Sequence, residues 1–116
     1  MPSKKPEISK DPMYQLLRVD NISAFNIKKE SGQTCELQGM NYRGLDLRGL
    51  DAEGLDFTDA YFRATNLRGI DFSQSNLRGA SLRDAKISGC LFPAELSVQE
   101  IRMSVELGTR LRYTND

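Results

Sequence analysis

Residues 35–94 read CELQG-MNYRG-LDLRG-LDAEG-LDFTD-AYFRA-TNLRG-IDFSQ-SNLRG-ASLRD-AKISG-CLFPA, twelve pentads without a gap. The third position is Leu, Phe, Tyr, Ile or, once, Ala; the second is Asp or Asn in seven of twelve, and the fifth is Gly in seven. Period five belongs neither to a helix nor to a simple strand, whose side chains alternate with period two. Held over sixty residues, it means a stacked repeat. In such an architecture function is sought in columns of stacked side chains rather than in one pocket.

Outward from the repeat, the flanks read as caps. Residues 1–12, rich in Lys, Pro and Ser, read as a flexible tail. Residues 13–34 read as an N-terminal helical cap. Asp11 and Pro12 supply an N-cap and an N1 proline for a short helix containing Tyr14, Leu16 and Leu17. A second helix is expected from about Asn21 to Glu30, with Ile22 and Phe25 three apart and Gly32 as its C-cap. A competing reading makes this stretch a degenerate extra coil, since Asn21-Ile22 and Asn26-Ile27 fall in the pentad phase. The helix is favoured because the next in-phase position, Gly32, has no side chain to bury. After the repeat, Ser97 to Glu100 spells a capping box, Val98, Ile101 and Val105 form an apolar stripe, and Gly108 is a stop. Residues 95–110 thus read as a C-terminal helical cap over the open end of the stack, and 111–116 as an extended or frayed tail.

The bulk composition narrows the function classes. The 116 residues suit one domain, and 16 basic groups balance 16 acidic ones, so no global bias toward nucleic acid or anionic membrane exists. No apolar run approaches the ~20 residues of a membrane span, and the start lacks a signal-peptide core, so a cytoplasmic location without membrane contact is expected. Two cysteines, Cys35 and Cys90, stand at opposite ends of the repeat, which argues against a disulfide framework or a zinc site.

The pentads LDLRG, TNLRG and SNLRG closely resemble the A-(D/N)-L-x-x signature of the pentapeptide-repeat family. The resemblance covers 60 of 116 residues. It implies an all-β solenoid, a right-handed quadrilateral β-helix with four pentads per coil and about three coils, capped here by short α-helices. It also implies that the third and first residues of each pentad point inward, and that the Asp and Asn side chains shape turns. The best-described relatives are quinolone-resistance proteins that bind DNA gyrase by imitating DNA. Others dimerise end to end through a terminal coil.

With twenty residues per coil, the pentad centres stack as Leu37/Phe57/Leu77, Tyr42/Phe62/Leu82, Leu47/Leu67/Ile87 and Ala52/Phe72/Phe92. These are the expected core, each buried large side chain contributing roughly 1.5–3 kcal/mol. Ala52 is the small exception, and Leu50, large where the family prefers Ala, is read as filling its space. Cys35 and Cys90, at first positions, are read as inert buried thiols. The fourth positions stack as Arg43/Arg63/Arg83 on one face, with Arg48/Arg68 and nearby Lys86 on the next. Acidic residues gather elsewhere, as Asp51/Asp71, Glu36/Asp56 and Glu53. A basic face of Arg43, Arg63, Arg83, Arg48 and Arg68 is the candidate docking surface for an anionic partner. Leu91, Phe92 and Pro93, on the last coil, are either covered by the C-terminal helix or form a dimer surface.

The chain has no histidine, which excludes Ser-His-Asp and Cys-His chemistry, and its glycines do not form a phosphate-cradling loop. Without a deep cleft to dry the paired carboxylates, acid–base catalysis is not expected. No EF-hand loop occurs, and no cofactor or metal is expected. The reading is a non-enzymatic protein-interaction module with an unknown protein partner. The alternatives are a DNA mimic acting on a topoisomerase, disfavoured because the chain is short and neutral, and direct nucleic-acid binding. The second lacks aromatic interleaving beyond Tyr61.

Overall fold

Four-residue turns at period five set the backbone. The carbonyl of Tyr42 accepts from the amide of Leu45, Leu47 from Leu50 and Ala52 from Leu55, and the series continues to Ile87 from Cys90. The fifth residue of the pentad occupies the third place of each turn, where positive φ is needed. Glycine meets that need at φ +72° in Gly44 and +87° in Gly49, but Asp59, Ala64 and Asp84 adopt it at +58°, +57° and +58°. Gln74 is not among the positive-φ residues, and at its corner Gly54 donates one residue later, to the Gln74 carbonyl. A Cβ in the left-handed region costs roughly 1–2 kcal/mol, partly offset by the chain entropy that glycine loses. Ala64→Gly is therefore expected to stabilise the fold by about 0.5–1 kcal/mol in urea titration.

The structure is a computed structural model that describes residues 6–115. Because each turn uses four of every five residues, one residue per side remains for pairing. These residues meet in parallel bridges twenty apart, Asn41–Tyr61–Ser81 and Asp46–Asn66–Lys86 among them. Among the described residues these pairings are isolated bridges, with no strand or sheet. Three rungs result, 35–54, 55–74 and 75–94. Their four sides are numbered here from residues 35–39, 40–44, 45–49 and 50–54.

The pentad centres fill the interior. Leu37, Tyr42, Leu47, Ala52, Phe57, Phe62, Leu67, Phe72, Leu77 and Leu82 are all buried, as is Leu50 beside Ala52. Ile87 and Phe92, in the last rung, are only half-buried. An aromatic line runs up the stack from Tyr14 through Tyr42, Phe57, Phe62 and Phe72 to Phe92, with centroids 5.0–6.3 Å apart. The Tyr42 hydroxyl donates to the Leu37 carbonyl at 2.8 Å, and burial pushes its pKa well up. First-position polar groups work alike: Thr65 Oγ1, Ser75 Oγ and Cys90 Sγ each donate to a pentad-centre carbonyl one rung below.

Among the described residues three helices close the ends: α1 (Pro12–Arg18), α2 (Ile22–Glu30) and α3 (Val98–Leu107). Asp11 caps α1, accepting from Met13 and Tyr14, while its other oxygen takes the Glu36 amide of the first rung. Ser31 is the C-cap of α2, and Gly32, at φ +96°, is the residue after it. Asn26 imitates a missing rung, donating its amide to the Gly49 carbonyl and accepting from the Asp51 amide. Residues 1–5 of the expected tail lie outside the described residues, but the rest is not a tail. Glu7 bridges to Met40 and bonds Gly39 and Asn41.

At the upper end, Ser97 Oγ accepts from the Glu100 amide, and α3 stops at Gly108 in the left-handed region. The expected capping box is not reciprocal, because the Glu100 carboxylate turns instead to the Arg112 amide and guanidinium. The expected apolar stripe is also weaker than drawn. Val98 is 70% exposed, Ile101 and Val105 are half-buried, and the buried residue of α3 is Ser104. Its hydroxyl accepts from the Leu82 amide, and Val105 O accepts from Asp84. The expected C-terminal tail packs as well. Leu111 and Tyr113 are buried, Leu111 exchanges bonds with Gly79 and Ala80, and the Tyr113 hydroxyl takes the Leu77 amide. Residue 116 of that tail lies outside the described residues.

Candidate functional site

Every Asp or Asn at the second pentad position does the same work. The side chains of Asn41, Asp46, Asp51, Asp56, Asn66, Asp71 and Asn76 each accept from the amide two residues on. This local turn is what short polar side chains offer a backbone. It fixes the fourth residue at the corner, pointing outward. Arg43, Arg63 and Arg83 therefore line the corner between sides two and three, and Arg48 and Arg68 the corner between sides three and four. Asp46, Asn66 and Lys86 run between them, bridged rung to rung. Neighbouring rungs lie about 4.8 Å apart.

The five arginines are not equivalent, and the residue two places earlier decides much of the difference. Arg48 follows Asp46 and forks onto its carboxylate at 2.7–3.2 Å, which holds the Asp46 carboxyl below its usual range. Arg63 follows Tyr61, whose phenol raises the Arg63 pKa above its usual value. Arg83 lies 3.8 Å from Asp84 and donates to the Leu107 carbonyl at 3.4 Å, so it leans on α3. Arg43 and Arg68 follow Asn41 and Asn66, which carry no charge. Both are exposed, and among the described residues their side chains have no bonding partner. Lys86, exposed at the top of side three, forms no ion pair among the described residues. Exposed like charges this close repel one another, and a bound anion relieves that repulsion.

The opposite sign is less concentrated than the sequence suggests. Lys29 of α2 reaches Asp51 at 3.0 Å and lowers its carboxyl pKa, chiefly through that hydrogen bond. Asp71 is held low by Ser73, and Asp56 bonds the amide and hydroxyl of Thr58. Both cysteines are free and half-buried rather than buried, with pKa values raised first of all by desolvation. Neither is poised as a thiolate at neutral pH. Among the described residues no cluster of three or more His, Cys, Asp or Glu could hold a metal. No described helix is long and apolar enough to cross a membrane.

A cleft of about 430 Å³ lies near the C-terminus, lined by Arg78, Ser97, Glu100, Arg112 and Tyr113 among others. Its charges are engaged: Glu100 pairs with Arg112 at 2.8 Å, and Arg78 stands 4.2 Å above the Tyr113 ring. It acts as a seam between the third rung and the C-terminal segment. Of the residues expected at a terminal surface, Pro93 is buried, Phe92 is half-buried and Leu91 is 58% exposed. The C-terminal helix therefore does not seal Leu91.

Residues 56–92 match the family model described as pentapeptide repeats, in eight copies. No curated protein and no solved structure matches the chain.

Proposed function

We propose that the chain, whose residues 56–92 match the pentapeptide-repeat family, is a non-enzymatic interaction module whose third side docks an anionic partner. The scaffold we infer is a right-handed quadrilateral β-helix of three rungs, supported by parallel bridges at twenty-residue spacing and by period-five turns. One observation carries the functional reading. Arg43, Arg68 and Lys86 stand exposed and without ion pairs among the described residues on one side, with Arg63 between them. Planar guanidinium groups on a fixed spacing suit carboxylates or phosphates, and an acidic protein surface presents the former in a matching array.

The test is affinity capture from the native cell, comparing wild type with the triple variant Arg43→Glu, Arg63→Glu, Arg68→Glu. Arg83 is left intact because it contacts α3. The wild type is expected to retain a protein partner that the triple variant loses, with recovery falling as salt rises. Equal recovery by a triple variant with unchanged thermal unfolding overturns the reading. Recovery of nucleic acid instead of protein moves the function to direct nucleic-acid binding.

A further inference from the structure

The upper end of the stack is closed on two sides and open on the other two. One rung lower, on sides three and four, the amides of Leu67, Gly69 and Phe72 donate upward to Lys86, Ser88 and Leu91. The carbonyls of Thr65 and Ile70 accept from Lys86 and Leu91. The third-rung counterparts are the amides of Ile87, Gly89 and Phe92 and the carbonyls of Ala85 and Cys90. None of these has a partner among the described residues. Gly89 and Leu91 are exposed, and Ile87 and Phe92 are half-buried although the residues beneath them, Leu67 and Phe72, are sealed. Unpaired backbone groups in a row are a template for an added chain.

The protein shows what this edge accepts. On sides one and two its own residues 110–113 lie across it: Arg110 bridges antiparallel to Ser81, and Leu111 bonds Gly79 and Ala80 while burying its side chain.

We propose that the open half of this edge, on sides three and four, receives an extended acidic segment of a partner protein as a partial fourth rung. Charge selects the segment. Lys86 stands in the middle of the open side, above Asn66, and Arg68 lies one rung lower at the neighbouring corner. Asp84, the acid beside it, is engaged by Arg83 at 3.8 Å. On side four the acidic column Asp51/Asp71 ends in Leu91, so residues 90–94 of the third rung carry no carboxylate. A carboxylate of the segment meets Lys86, and an apolar side chain covers Ile87 and Phe92. A second copy fits less well. A two-fold pairing along side three sets Lys86 beside its own copy, which is unfavourable. A rigid edge also meets one side at a time, whereas an extended segment turns the corner at Gly89. This site, at the end of the stack, shares Lys86 and Arg68 with the flank proposed above, and it is told apart by the backbone amides of Ile87, Gly89 and Phe92, which the flank does not use.

The probe is a phage-displayed random dodecapeptide library panned on the full chain. The selected peptides are expected to combine acidic and apolar residues. A synthetic copy of the strongest should slow hydrogen exchange of the Ile87, Gly89 and Phe92 amides and leave Leu82 unchanged. Lys86→Glu, at an exposed position, should weaken its binding at least about tenfold. Three results overturn the proposal: no selection above background, binding without protection of those three amides, or protection without peptide in a species sedimenting as a dimer. The last would assign the edge to a second copy.

Discussion

Phe57→Ala is expected to lower the unfolding free energy by about 3–5 kcal/mol. Phe57 is fully buried and touches three other rings, Tyr42, Phe62 and Phe72, at 5.3–6.1 Å. Its removal takes away transfer energy and leaves a cavity that backbone bridges above and below prevent from collapsing. For a domain of this size the midpoint of thermal unfolding should fall by roughly 12–20 °C. Calorimetry of the variant beside Leu50→Ala is informative, because the second mutation lies next to small Ala52 on side four and should cost about 2–3 kcal/mol. A shift for Phe57→Ala of under 5 °C would contradict the aromatic line as the centre of the core.

Ending the chain at Thr109 should be about as damaging as losing Phe57. The segment removed buries Leu111 and Tyr113, each contributing roughly 1.5–3 kcal/mol. It also takes the partners of the Leu77 and Gly79 amides and the Ala80 carbonyl, at about 1 kcal/mol or more per group left unpaired. The sum is roughly 5 kcal/mol or more, comparable with the whole stability of a small domain. The truncated protein should show a broadened urea transition and bind a dye that reports exposed apolar surface. Full-length-like unfolding would mean that the segment is an ornament.

The interior was legible because its period is the sequence's own. Stacking every twentieth residue places Leu37 under Phe57 and Tyr42 under Phe62. The recurring geometry of the turn was also written in the second position, where Asn41 and Asp46 could be read as turn-formers. The ends were less legible. Ser104, Asn26 and Tyr113 complete hydrogen bonds that a further rung would otherwise make, using side chains in place of backbone, and such a substitution leaves no periodic trace. The C-terminal segment looked frayed because Arg110 to Thr114 is polar on average. Its two apolar residues, Leu111 and Tyr113, alternate as an edge segment requires.

For the basic side, the sequence held a signal that column-stacking alone passed over. Two arginines with the same outward position differ by the residue two places before them. In LDLRG the Asp46 carboxylate ties down Arg48, whereas in MNYRG and TNLRG the neutral amides of Asn41 and Asn66 leave Arg43 and Arg68 free to meet an external charge. The formal net charge of zero therefore conceals a side on which positive charge is locally uncompensated.

All of this depends on the register that puts Arg43, Arg63 and Arg83 in one column. Disulfide trapping tests it most directly, in a background with Cys35 and Cys90 replaced by alanine. Residues on adjacent rungs lie about 4.8 Å apart, within the Cα range of a disulfide. The pair Arg43→Cys, Arg63→Cys is predicted to cross-link rapidly on mild oxidation, while Arg43→Cys, Arg68→Cys, on different corners, stays reduced. Faster trapping of the second pair would contradict the twenty-residue register and the docking side built upon it.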